Sequence, residues 1–71
     1  MLPPSHRTAF GARVRELRTE RGLSQEDLAN RAGLDRTYVS GVERGVRNPT
    51  LDVIARLATA FAVSPAEFFT P

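Results

Sequence analysis

The stretch Leu23-Ser24-Gln25-Glu26-Asp27-Leu28-Ala29-Asn30-Arg31-Ala32-Gly33-Leu34-Asp35-Arg36-Thr37-Tyr38-Val39-Ser40-Gly41-Val42-Glu43-Arg44-Gly45 holds two helix starts and two helix stops. Ser24 can accept a hydrogen bond from the backbone two or three residues on, and Asp27 stands at the acidic position of a capping box. Leu23 and Leu28 flank that cap at the spacing of a hydrophobic staple. Gly33, which enters the left-handed region cheaply, ends this helix. Asp35 opens the next one, with Leu34 and Val39 as its staple, and Gly45 closes it. Two short helices joined by a tight turn with glycine make a helix-turn-helix arrangement, in which the second helix can enter a major groove. The turn alone is a modest signal, because any helical hairpin can hold a glycine.

The same grammar extends outward. Phe10, Val14 and Leu17 recur at helical spacing, and Gly22 follows the last of them, so a first helix is expected over roughly residues 6–21. Residues 1–5 read as a flexible lead-in, because Pro3 and Pro4 cannot sit in a helix interior. After the turn Asn48-Pro49-Thr50, Thr50 caps a fourth helix carrying Leu51, Ile54, Leu57, Ala58 and Phe61. Val63-Ser64-Pro65-Ala66-Glu67-Phe68 repeats the cap, first-turn proline, capping-box acid and staple, and predicts a fifth helix. The expectation is an all-α fold of five helices and no strand, with residues 6–71 forming one domain.

Composition bounds what such a domain can do. The chain has 71 residues, 41% hydrophobic and 25% charged, which suits one small globular unit. It has no cysteine and a single histidine, His6, so neither a disulfide nor a metal centre is expected, and no catalytic constellation or cofactor motif appears. All ten basic residues are arginine, and against eight acids they leave a net charge of only +2. Their placement is uneven: residues 1–47 carry nine arginines against six acids, whereas residues 48–71 carry one against two. A polyanion would therefore meet the first two-thirds of the chain. No signal peptide opens the sequence, and its apolar runs fall far short of the ~20 residues of a membrane span, so a cytoplasmic protein with no membrane partner is expected.

The third helix carries the most chemistry. At about 100° per residue, Arg36, Ser40, Arg44 and Thr37 share one sector, Gly41 lies at its edge, and Tyr38, Val42 and Val39 fall opposite. Arginine can bond two acceptors on guanine, threonine can meet a thymine methyl, and serine can take several base edges. Gly41 costs about 1 kcal/mol in a helix relative to alanine, which a close approach by DNA or another helix would explain.

At this point the residues resemble a family. Leu23-Ser24-Gln25-Glu26-Asp27-Leu28-Ala29, Ala32-Gly33-Leu34, Tyr38-Val39-Ser40, Glu43-Arg44-Gly45 and Asn48-Pro49-Thr50-Leu51 are similar to the phage repressor/Cro-type (XRE) helix-turn-helix regulators, from about Phe10 to Phe69. The block from Arg36 to Gly45 further resembles the controller proteins of restriction–modification systems, small dimeric autoregulators. The resemblance implies a lambda-repressor-like DNA-binding domain with helices 2 and 3 as the motif. It implies base readout by Arg36, Thr37 and Ser40, and backbone contacts by Gln25, Tyr38, Arg44, Arg47 and Asn48. It implies a structural ion pair between Arg18 and Glu43. Gly41 departs from members that carry a long polar side chain there, which shifts weight toward DNA shape. The implied partner is double-stranded DNA with a palindromic operator, with RNA polymerase as a candidate second partner.

Plainer readings stand beside these. Arg36, Thr37 and Ser40 also suit a solvated helix face. Arg44 and Arg47 also complement a helix dipole, and Gln25 is also a good first-turn residue. Tyr38 also suits a core edge with its hydroxyl outward, and Arg18–Glu43 an ordinary surface pair. Phe69 is adjacent to Phe68, so both cannot point easily into one core. An exposed Phe69 beside Ala66 suits a homodimer interface on a C-terminal dimerisation helix, and the alternative is that Phe69 folds back over the terminus. The competing functions are the antitoxin of a toxin–antitoxin pair, a phage- or plasmid-type repressor, and an adaptor that binds protein without DNA.

Overall fold

A computed structural model describes residues 3–69. Four α-helices, α1 (Pro4–Glu20), α2 (Gln25–Ala32), α3 (Arg36–Glu43) and α4 (Leu51–Phe61), are followed by a short 3-10 helix, Pro65–Phe69. The three interior starts are set by side-chain caps. Ser24 Oγ accepts from the Asp27 N–H at 2.9 Å while the Asp27 carboxylate accepts from the Ser24 N–H at 3.0 Å, a complete capping box. Asp35 Oδ1 accepts from the Thr37 N–H at 2.7 Å, and Thr50 Oγ1 from the Val53 N–H at 3.2 Å.

The helix ends share one device. Leu23, Leu34, Val46 and Val63 each send an N–H back to the carbonyl five residues earlier, on Arg18, Ala29, Gly41 and Ala58. The residue before each is left-handed: Gly22, Gly33, Gly45 and, without the freedom of glycine, Ala62. Leu23, Leu34 and Val63 then pack on the core as the apolar residues of the next staple. These three stops thereby position the starts that follow them, whereas Val46 stays exposed and the cap of α4 comes later, at Thr50.

Two sequence expectations are corrected. α1 begins at Pro4, not near residue 6, because a proline in the first turn lacks only an N–H that has no intrahelical partner anyway. The lead-in thus shortens, and residues 1 and 2 lie outside the described residues. The fifth α-helix is not formed, leaving four α-helices and no strand among the described residues. Ser64 does accept from the Ala66 N–H at 3.3 Å, but the turn closes three residues on, from the Glu67 N–H to the Ser64 carbonyl at 2.9 Å. The Glu67 carboxylate reaches Arg13 on α1, whose Nε also bonds the Glu67 carbonyl at 3.0 Å.

The core collects Phe10, Val14 and Leu17 of α1, Leu28, Ala29 and Ala32 of α2, Val39 and Val42 of α3, Ile54, Leu57, Ala58 and Phe61 of α4, and Phe68. Phe68 meets Phe10 edge-on at 5.0 Å and Phe61 at 6.2 Å between ring centroids, which seats the C-terminal turn. α1 crosses α3 so closely that a Cβ on Gly11 would lie 2.1 Å from the Val42 carbonyl oxygen and 2.8 Å from that of Glu43. Both obstacles are backbone, so neither can swing aside. Gly11→Ala is therefore expected to destabilise the fold by about 1–3 kcal/mol in urea unfolding. Helix propensity alone would stabilise it by up to about 1 kcal/mol, so the sign of the shift separates the backbone clash from the propensity gain.

Candidate nucleic-acid interface

α3 divides along its length. Val39 and Val42 are buried against the core, and Arg36 and Thr37 are exposed on the outer side, with Ser40 half-buried beside them. Arg44 follows as the C-cap residue and is exposed. The hydrophobic stripe thus fixes which way the polar stripe points.

The arginines separate by engagement. Arg13 pairs with Glu16 and Glu67, Arg18 with Glu43, and Arg56 with Asp52 at 3.5 Å. Arg21 binds the Leu17 and Phe61 carbonyls and lies over the Phe61 ring at 5.3 Å. Among the described residues neither Arg36 nor Arg44 enters an ion pair. Arg7, Arg15, Arg31 and Arg47 are also absent from these ion pairs, so Arg36 and Arg44 place two of several such cations on the outer side of α3.

Arg47 lies across Gly41 and Tyr38. Its guanidinium carbon sits 5.6 Å from the Tyr38 ring centroid, and a Cβ on Gly41 would come within 2.7 Å of Arg47 Cγ. The close approach that a helical glycine suggested is thus made by a side chain of this same chain. Tyr38 is half-buried, with its ring under a cation. Gly41 was the sequence signal for this contact, but it did not name the neighbour. Asn48 is half-buried in the turn toward α4, next to the buried Pro49.

Behind this face lies a charged junction of three helices. Arg18 Nε and Nη2 reach Glu43 Oε2 and Oε1 at 2.6 and 3.1 Å, a two-pronged pair. Arg18 Nη1 also donates to the Leu23 carbonyl at 2.8 Å, and Gln25 Nε2 donates to Glu43 Oε1 at 3.1 Å. The Glu43 side chain is 3% exposed and that of Arg18 13%, so this is no surface pair. The hydrogen bond from Arg18 to Glu43 raises the Arg18 pKa, burial opposes that, and Coulomb attraction adds to it. Gln25 keeps one of its two amide hydrogens for another acceptor. The Gln25–Glu43 bond had no signal in the sequence pattern. The Asp27 and Asp35 carboxyls are held below the usual carboxylate range, chiefly by the backbone N–H groups of Ser24 and Thr37 that they cap.

The two residues expected at an interface between copies lie elsewhere, on the C-terminal turn. Ala66 is exposed, and Phe69 is 56% exposed with one face stacked on Phe10 at 5.8 Å. Phe69 therefore folds back with one face and shows the other to water.

Comparison with known proteins identifies the family of the fold. The helix-turn-helix family model HTH_3 matches residues 14–68. The chain is 44% identical over 62 residues to the control protein C.BamHI of Bacillus amyloliquefaciens, covering 86% of this chain and 76% of that one. It is 43% identical over 65 residues to the HTH-type transcriptional regulator y4dJ of Sinorhizobium fredii, covering 92% and 84%. The crystal structure of the restriction–modification controller protein C.AhdI from Aeromonas hydrophila superposes with a TM-score of 0.90 at 57% identity, covering 92% of this chain and 98% of that one.

Replacing Glu43 by Gln leaves the Arg18 fork without its counter-charge. The expected loss is roughly 2–3 kcal/mol, below the range for full burial because Arg18 retains some contact with water. Urea unfolding measures it, and Arg18→Met in the Glu43→Gln background should cost less than in wild type. Additive losses would show that the two side chains act independently.

Proposed function

Because the chain belongs to the HTH_3 helix-turn-helix family of transcriptional regulators, we propose that it reads DNA as a two-fold dimer and acts as the controller protein of a restriction–modification system. The observation that carries the reading is the outer side of α3, where Arg36 and Thr37 are exposed and, among the described residues, neither Arg36 nor Arg44 enters an ion pair. α3 lies in the major groove, with its N-terminal residues at the base edges. Arg36 takes guanine O6 and N7, Thr37 meets a thymine methyl, and Ser40 takes a neighbouring edge. Gln25, Arg44, Asn48 and the Arg47–Tyr38 stack face the sugar-phosphate backbone and set register and affinity. The controller assignment is supported by the likeness to C.BamHI and C.AhdI across nearly the whole chain. Such a regulator works in the cytoplasm, where its operator is.

One reading head binds few bases, and two on a common axis read a palindrome with half-sites about 34 Å apart. The open face of Phe69 beside Ala66 supplies the apolar patch for that axis.

Two arginines separate base readout from phosphate contact. Arg36→Ala is expected to lose about 1–3 kcal/mol on the operator and to relax base preference at one position of each half-site. Arg44→Ala is expected to weaken operator and random DNA alike and to lower the salt slope by about 1. Equal losses on both DNAs for Arg36→Ala, in titrations at fixed salt, would remove Arg36 from the readers. Selection of duplexes from a random pool supplies the operator and tests the palindrome directly.

The dimer has its own test. Phe69→Glu is expected to sediment as a folded monomer with wild-type helical content by circular dichroism. A sedimentation coefficient unchanged from a dimeric wild type would place the interface elsewhere.

A further inference from the structure

Asp35 begins the reading helix and, so far, has only a structural duty. Its carboxylate is exposed, and Oδ1 accepts the Thr37 N–H at 2.7 Å. The Tyr38 N–H adds to that hold. A carboxylate offers about four lone-pair sites on two oxygens, so acceptor capacity remains on its open side. The side chain cannot leave without stripping the first turn of its cap. It is therefore fixed at the N-terminal end of α3, beside the exposed Arg36 and Thr37.

A fixed negative charge at the base edges is unfavourable beside a polyanion unless a donor meets it. In the major groove guanine presents acceptors at N7 and O6, and thymine presents one at O4. Only the amino groups of cytosine N4 and adenine N6 donate, and adenine places its N7 acceptor next to N6. Cytosine is thus the base that a pinned carboxylate accepts best. Arg36 sits beside Asp35 and is electrostatically coupled to it. It has the opposite demand, for a base with two acceptors.

We propose that Asp35 is a specificity-determining residue that requires a cytosine amino group in each half-site and rejects guanine and thymine there. The inference rests on the proposed readout of DNA by α3. Asp35 and Arg36 then form a tandem, one selecting a donor and the other a pair of acceptors. The carboxylate also lowers affinity for random DNA, so it acts as much by excluding wrong sequences as by holding the right one.

Substitutions that keep the cap isolate this role. Asparagine and serine cap a helix about as well as aspartate, so Asp35→Asn and Asp35→Ser are expected to melt within a few degrees of wild type. The full chain and both variants are each used to select duplexes from a random pool. All three are then titrated at one salt concentration with the wild-type-selected duplex and with random duplex. The expected result is a fall of about tenfold or more in the ratio of the two affinities. Random-DNA binding should rise, and the cytosine requirement should be lost at one position of each half-site. If the wild type discriminates and both variants select the same base with the same ratio, Asp35 is a cap only and the inference falls. If the wild type binds every duplex alike, the readout by α3 falls and this inference with it.

Discussion

The Glu43 carboxylate is the constraint on which the placement of α3 depends. It sits nearly out of water at the C-terminal end of α3, where the helix dipole also disfavours a negative charge. Burial and dipole both oppose it, so the group is tolerable only with close donors around it. Arg18 supplies two from α1, and Gln25 supplies one from α2. A shift of any one helix would break charge-assisted bonds in a region of low dielectric. The junction therefore fixes α3 relative to α1 and α2, and with it the direction in which Arg36 and Thr37 face. Gly11 acts on the same pair of helices from the packing side, since only a missing side chain lets α1 approach the Val42 and Glu43 carbonyls.

This division of labour also resolves the charge arithmetic. A net charge of +2 is small for a partner of a polyanion. Arg13, Arg18, Arg21 and Arg56 are engaged inside the molecule, where each ties one element to another or to its own helix end. Arg36 and Arg44, like Arg7, Arg15, Arg31 and Arg47, enter no ion pair among the described residues. The local field at the surface is set by where such charges lie rather than by their sum. The guanidinium serves both duties because it is planar and offers five donors.

Much of the fold was legible because its punctuation is local. Ser24, Asp35 and Thr50 cap by reaching two or three residues along the chain, and Gly22, Gly33 and Gly45 take the left-handed backbone they predict. The misses all depend on contacts between distant residues or on small differences in backbone energy. The last turn carries every cap signal of a helix, yet it is only five residues long and its acid is drawn to Arg13, fifty-four residues away. Ala62 ends α4 in a conformation that costs a non-glycine residue about 1–2 kcal/mol, so no glycine marked that end. For the site, helical spacing identified the outer face of α3, because the valines behind it fix its rotation. Spacing said nothing of Arg47 lying over Gly41 and Tyr38, since a loop residue's side chain has no period to follow.

α3 is thus bracketed by two carboxylates with opposite settings. Asp35 stands at the N-terminus in water, where dipole and backbone donors both favour its charge. Glu43 stands at the C-terminus out of water, where only Arg18 and Gln25 make its charge tolerable. The first starts the helix and leaves its open side toward whatever enters beside Arg36. The second anchors the helix to its neighbours and has little exposed surface with which to meet a partner. In an eight-residue helix every position lies within about two turns of both ends, so no side chain on the outer face is far from either constraint. That short lever makes the residue that opens the helix inseparable from the surface the helix presents.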